Sequence, residues 1–319
     1  MIALVLLPLM PDRAMGPYEA WNPHKLWLVV VLISGLSFSG FLFHARAAGR
    51  RGIFVTALAA AVVSSTVATV SLARKLDAKP DGKLFEGAIV ADPNFAPAYA
   101  SLASIHNSRQ FIRPGIAADP AITERAAELA QRAVALDPLD ARNHLVVAWS
   151  TAMTRHFEQS EVHYELAAEL NPNSPKTLVS AALGMAFMGR VDSASRLLER
   201  AMDLTTMFLD YQWSHIAVIR YFAGDFEAAI AAADRSKNAI VDTAGWKTAA
   251  LRKLGRTDEA RAALMQLHTS IAAAWAGPAA PTLKDILDWF LGAFPIKRDE
   301  DRRELARLCQ VDVHTQKLS

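Results

Sequence analysis

Apolar residues recur along most of this chain with a helical period, and two early stretches carry no polar period at all. In residues 175–206, Leu178, Ala181, Ala182 and Met185 follow at i, i+3, i+4 and i+7, and Val191, Ala194, Leu197, Leu198 and Ala201 share one face after a Gly189–Arg190 turn. That pattern predicts two amphipathic helices in antiparallel contact. Ser174 followed by Pro175 supplies an N-cap and a first-turn proline whose missing N–H costs nothing. Ala182 and Ala194 are small enough for the two backbones to approach, so neither helix buries its stripe without the other or the next unit. Residues 26–43 and 53–73, by contrast, are runs of 18 and 21 uncharged residues. Both have the length of a membrane-spanning helix, and a buried helix of that length in a soluble protein would carry charge on a solvent face.

The helix pair is one of a series. Pro138 and Pro172 close two Asp/Asn-Pro turns 34 residues apart, and Ala126, Ser160 and Ala194 keep the same spacing. Ala229 and Ala260 continue it at 35 and 31, with Gly189, Gly224 and Gly255 each five residues before the last three. A 34-residue period of paired helices resembles the tetratricopeptide repeat. The fold class expected is therefore all-α: two transmembrane helices followed by a tetratricopeptide-type helical-repeat solenoid. The domains read as a membrane segment over 1–75, a linker over 76–83 (polar, with Pro80 and Gly82), the array over 84–276, and C-terminal capping helices over 277–319. Helix A of the first full unit is predicted to begin near Ala96, and an insertion around Ile112–Ala118 delays helix B to Asp119-Pro120. Such an insertion is either an edge decoration or a partner contact. Gly277–Pro281 breaks the helix, Thr282 with Asp285 forms a capping box opening a helix through Phe290, and 294–308 is expected to form a charged last helix that ends the stacking.

Two family resemblances bear on these halves. GPY at 16–18, Asn22-Pro23, Trp27, VVLISGLSFSG at 30–40 and VSSTVATVSLAR at 63–74 resemble the C-terminal membrane domain of MgtC/SapB-type bacterial proteins (domain of unknown function 4010), over about residues 3–75. The resemblance implies a bacterial inner-membrane location. The magnesium-linked role of the wider family does not carry over, because neither apolar stretch contains a carboxylate that could ligate Mg²⁺ at membrane depth. Small residues at Gly35/Ser39, Ala57/Ala61 and Ala61/Ser65 suit close packing of membrane helices. Residues 84–310, through Phe294-Pro295, Asp301-Arg302 and Leu305, resemble the repeat-bearing C-terminal regions of some bacterial adenylate/guanylate cyclases. No cyclase catalytic domain precedes them, so architecture carries over and activity does not.

Composition adds exclusions. Residues 1–80 hold eight Lys/Arg against three Asp/Glu, and the remainder 26 against 29. A repeat region of that balance has no electrostatic footprint for nucleic acid. A single cysteine, Cys309, excludes an internal disulfide framework. His156 and His163 are seven residues apart, wider than the i, i+4 spacing of a two-histidine metal site. GLSFSG at 35–40 misses the nucleophile-elbow spacing by one residue. No phosphate-binding glycine loop or zinc spacing of cysteines occurs, so no catalytic residue, metal ligand or cofactor is expected.

In the repeat fold that this period resembles, helix A positions 2, 5, 9, 12 and 13 line the concave surface. Here they are Arg142, Leu145, Trp149, Ala152 and Met153; Lys176, Val179, Leu183, Ala186 and Phe187; and Tyr211, Ser214, Val218, Tyr221 and Phe222. The centre is apolar and aromatic, with Arg142 and Lys176 at a margin. Such a surface suits a partner helix or peptide, with Trp149 and Tyr221 as anchors. Equally, these aromatics pack against neighbouring helices or beneath the C-terminal helices. The leading expectation is a non-enzymatic, membrane-anchored scaffold for a protein partner, the bilayer being met by the N-terminal helices. The alternatives are a transport or ion-homeostasis component with a regulatory array, and a fusion of two gene fragments. Arg13, Lys25, Arg74, Lys75, Lys79 and Lys83 outnumber Arg46, Arg50 and Arg51 across the two spans, which places the array in the cytoplasm.

Overall fold

A computed structural model of the chain describes residues 24, 82–117 and 119–309. The proposed spans at 26–43 and 53–73 lie outside the described residues. Among the described residues, no helix is long and apolar enough to cross a membrane. The contacts divide the chain between Asp81 and Gly82, two residues before the sequence-based start of the array.

Side-chain caps start many of the helices. Asp119 accepts from Ala121 N at 3.0 Å, Asp140 from Arg142 N at 2.9 Å, Ser174 from Thr177 N at 3.2 Å and Asp225 from Ala228 N at 3.2 Å. The described residues form 13 helices. A short α1 (Gly82–Ala91) buries none of its residues. Five helix pairs follow: α2 (Ala96–Ile112) with α3 (Pro120–Leu136), α4 (Ala141–Met153) with α5 (Phe157–Leu170), α6 (Pro175–Phe187) with α7 (Val191–Leu204), α8 (Asp210–Phe222) with α9 (Phe226–Arg235), and α10 (Thr243–Lys253) with α11 (Thr257–Ala274). Each first helix packs on its own partner and on the first helix of the next pair. The described part is thus an all-α helical-repeat solenoid of tetratricopeptide type.

The repeat phase predicted from the sequence is the phase of the core. Ala126, Ser160, Ala194, Ala229 and Ala260 are all no more than 2% exposed, so each lies in the core. Ser160 fits that place because its hydroxyl donates to Ala148 O at 2.7 Å, leaving no buried donor unmade. The turn inside each pair has a left-handed residue: Gly189, Gly224 and Gly255 have φ of 74°, 78° and 73°. Arg155 takes the same place in the second pair at φ 64°. At Gly184 the requirement is close approach instead, since a Cβ there would lie 2.0 Å from the buried Tyr164 ring.

The C-terminal segment turns back across the array. Thr282 and Asp285 form the expected capping box, and α12 runs Leu283–Ala293, past Phe290. The single last helix expected over 294–308 is corrected: Phe294 is extended (φ −100°, ψ 142°) and α13 covers only Asp299–Cys309. Pro295 explains the difference, because a residue before proline is driven out of the helical region. Trp289 Nε1 donates to Gln110 O at 3.0 Å, and Gln110 Nε2 donates to Ala293 O at 3.0 Å. The insertion after α2 docks on the same region, with Ala276 N donating to Pro114 O at 2.8 Å. The insertion therefore has a structural role within its own chain, tying α2 to the end of α11.

Candidate functional site

The concave face is shared between the chain's own C-terminal segment and an open cavity. Phe294 and Ile296 enter the face and are 8% and 1% exposed. Backbone and charge hold them there. Lys297 N donates to Phe187 O at 2.9 Å, and Lys297 Nζ reaches Glu161 at 2.9 Å and Glu158 at 3.4 Å. Glu161 also receives Arg190 Nε at 2.8 Å. These contacts raise the Lys297 ammonium above its ordinary range, chiefly through the Glu161 hydrogen bond. On α13, Tyr221 faces Glu304, Cys309 and Asp301, and burial is the main cause of its raised phenol. Burial likewise pushes the Cys309 thiol up to about 12, so it stays protonated and packs as an apolar residue.

Around Phe294 the rings form one cluster. Its centroid is 5.5 Å from Phe111, 5.5 Å from Phe187, 5.1 Å from Trp246 and 5.6 Å from Phe290. On the other side of Phe294 and Phe187 lies a cavity of about 480 Å³, within the range that holds ligands. Trp149, Leu183 and Val218, at the same position of three successive repeats, line it. Phe111 and Ile112 from α2 and Ala239–Asp242 from the loop entering α10 complete the walls, with Ser108, Ser214 and His215. Ala239 and Ile112 are exposed at its rim.

Apart from Ser108 of α2, the polar side chains of this cavity come from α8 and the entry to α10. Asp242 is buried, and its Oδ2 accepts from Trp246 Nε1 at 3.1 Å. Burial pushes its carboxyl up to about 6, against the opposing pull of its own backbone and Trp246 hydrogen bonds. His215 Nδ1 is buried without a hydrogen-bond partner, and burial lowers this imidazole to about 4, so it is neutral at physiological pH. Thr243 Oγ1 and Ser214 Oγ are 2.8 Å apart.

The structure sorts the sequence-based groove residues. Trp149, Leu183, Phe187 and Val218 come together on the cavity wall. Val179 and Tyr221 do not line it, and they are corrected from groove to core. Val179 is 1% exposed, and Tyr221 is covered by the rings of Phe222, Phe226 and Trp246. Phe222 packs on Phe187 and Trp246. Leu145 is half-buried against the core. Met153 accepts from Gln110 Nε2 at 3.8 Å and belongs to a second, small cavity of about 50 Å³. Tyr211 is half-buried, edge-on to His215 at 5.6 Å. Arg142 and Lys176 are exposed, and Arg142 pairs with Asp140 at 3.3 Å. The concave helix positions do not include Phe111, Ile112, His215, Asp242 or Phe294, nor Ser108 and Ala239–Val241. Asp242, a lone carboxylate after Ile240-Val241, carried the one local signal. His163 does not join His156; its Nδ1 lies 2.9 Å from His144 Nδ1. Among the described residues, no group of three or more His, Cys, Asp or Glu could hold a metal ion.

Comparison with known proteins bears on both halves of the chain. A family described as "Domain of unknown function (DUF4010)" matches residues 31–202, from within the first uncharged stretch into α7. No curated protein matches the chain. Among solved structures, the Cut9–Hcn1 hetero-tetramer of the APC/C is similar at 16% identity, over 89% of this chain and 56% of that chain, with a TM-score of 0.50. PilW, a widely conserved type IV pilus biogenesis factor, is similar at 17% identity, over 62% of this chain and 90% of that one, with a TM-score of 0.46. A tetratricopeptide repeat protein from Parabacteroides merdae ATCC 43184 is similar at 10% identity, over 87% and 98%, with a TM-score of 0.42. At 16% identity the likeness to the Cut9–Hcn1 structure concerns the fold alone.

Proposed function

The chain belongs to the DUF4010 family, whose description names no activity, and we propose, from the uncharged runs of its N-terminal sequence and the cavity of its array, that it is a non-enzymatic, membrane-anchored repeat scaffold that holds a protein partner in its concave cavity. The observation that carries the partner-binding part of this reading is the cavity of about 480 Å³, walled in part by the same position of three repeats. A solenoid whose C-terminal segment fills part of its concave face and leaves a largely apolar cavity open presents a pocket for a side chain of another polypeptide. Residues 26–43 and 53–73 serve as the anchor in the bacterial inner membrane, and the array lies on the cytoplasmic side.

Filling the cavity tests the scaffold reading. Leu183→Trp in the full chain should leave helicity and the melting temperature near those of the wild type. It should also deplete the proteins that co-purify with the wild type from membranes. An unchanged set of co-purifying proteins would contradict the reading. Protease cleavage of the array in sealed inner-membrane vesicles of known orientation tests the anchor separately. Cleavage only from the cytoplasmic face is expected, and absence of the protein from the membrane fraction would remove the anchor.

A further inference from the structure

The cavity is not uniformly apolar, and its one acidic residue is unusual. Asp242 is 5% exposed and lines the cavity beside His215 and Ser214. Its carboxylate accepts from the neutral indole N–H of Trp246, and no Lys or Arg among the described residues pairs with it by a salt bridge. A buried carboxylate with no countercharge is costly to keep ionised. Trp149, Phe187, Phe111 and Phe294 line the same cavity, and aromatic rings of this kind attract cations. A carboxylate and an aromatic wall are complementary to the same kind of group, a positive charge carried on an apolar stem.

We propose that the cavity receives a lysine side chain of the partner polypeptide together with an adjacent apolar residue, the ammonium meeting the Asp242 carboxylate and the stem lying along Trp149, Phe187 and Leu183. This rests on the scaffold reading above and names the chemistry of the anchor. Lysine fits better than arginine because Trp246 already occupies one carboxylate oxygen, leaving no fork for a bidentate guanidinium. A volume of about 480 Å³ exceeds one lysine stem, so an apolar neighbour enters with it. Asp242 and His215 are the titratable groups on the wall. Burial keeps His215 neutral down to about pH 4, so between pH 7.5 and 5 the charge in the cavity changes through Asp242. Its carboxyl titrates near 6 when the cavity is empty, and a bound ammonium draws that value down.

The test uses the full chain and three probes in saturation-transfer NMR: acetyl-Lys-Leu-amide, its norleucine counterpart, and n-pentylamine. The expected result at pH 7.5 is that the lysine peptide binds about tenfold more tightly than the norleucine peptide, the fold-change for one modest ion contact in a partly screened site. The advantage should shrink several-fold at pH 5 and vanish in Asp242→Asn, while Leu183→Trp blocks both peptides. If the norleucine peptide binds as well as the lysine peptide, the cationic anchor is overturned and the apolar cavity of the scaffold reading stands. If pentylamine binds and the lysine peptide does not, the occupant is a free amine and the proposal fails. If neither peptide binds, both the anchor and the cavity reading fall.

Discussion

Replacing Asp242 by asparagine should make the protein more stable at neutral pH, although it removes a hydrogen-bonded side chain from the interior. The carboxyl of Asp242 titrates near 6 in the folded chain against an ordinary 3.8. Between those values the native state holds a proton that the unfolded chain has released. Stability therefore falls as pH rises from about 4 to 6 and stays low above it. A shift of about 2 pH units corresponds to a penalty of about 3 kcal/mol. Asparagine keeps an acceptor for Trp246 Nε1 and carries no charge, so it should recover most of that penalty. Calorimetric melting of the full chain at pH 5.0, 6.0 and 7.5 measures it. The wild type should lose stability across this series and the variant should not, so that the gap widens toward pH 7.5. A variant that melts below the wild type at pH 7.5, or a gap independent of pH, would refute the buried, unpaired carboxylate.

Three further substitutions test other parts of the account. Phe294→Ala removes a residue that touches four rings and is 8% exposed; it should cost about 3–5 kcal/mol in denaturant unfolding, and a loss under 1 kcal/mol would mean the C-terminal segment does not sit in the concave face. Gly184→Ala places a methyl group 2.0 Å from the Tyr164 ring; overpacking of about 1–3 kcal/mol should outweigh a helix-propensity gain of about 1 kcal/mol, so a rise in melting temperature would contradict the packing. Arg155→Gly relieves the left-handed conformation at φ 64° and should be neutral to stabilising by up to about 1 kcal/mol, against a small loss of its stacking on Phe157 at 5.2 Å; a loss above 1 kcal/mol would show that stacking dominates.

The repeat was legible because its physics is local. A small residue recurs in each helix pair at nearly fixed spacing, with a left-handed turn residue five positions before the last four, so Ala126, Ser160, Ala194, Ala229 and Ala260 could be placed in the core from spacing alone. The capping box at Thr282 was legible for the same reason. The cavity was only half legible. Trp149, Leu183 and Val218 follow from helix position, but the remaining walls come from chain segments brought in by the superhelix. Ile112 and Val241 are 129 residues apart and line one space, a proximity that no helical wheel contains. Tyr221 has the concave position of an anchor, yet Trp246 of the next repeat and α13 cover it. Phe294 and Pro295 fall within the helix expected over 294–308, whereas the proline sets an extended entry into the groove.

The cavity as a partner site is tested most directly by photo-crosslinking from its rim in cells that produce the full chain. A benzophenone amino acid at Ala239, exposed at the cavity mouth, is compared with one at Val162, exposed on α5 and absent from the cavity wall. The account predicts a discrete protein adduct from Ala239 that Leu183→Trp abolishes and that Val162 does not produce. Identical adducts from both positions, or an Ala239 adduct indifferent to Leu183→Trp, would contradict it.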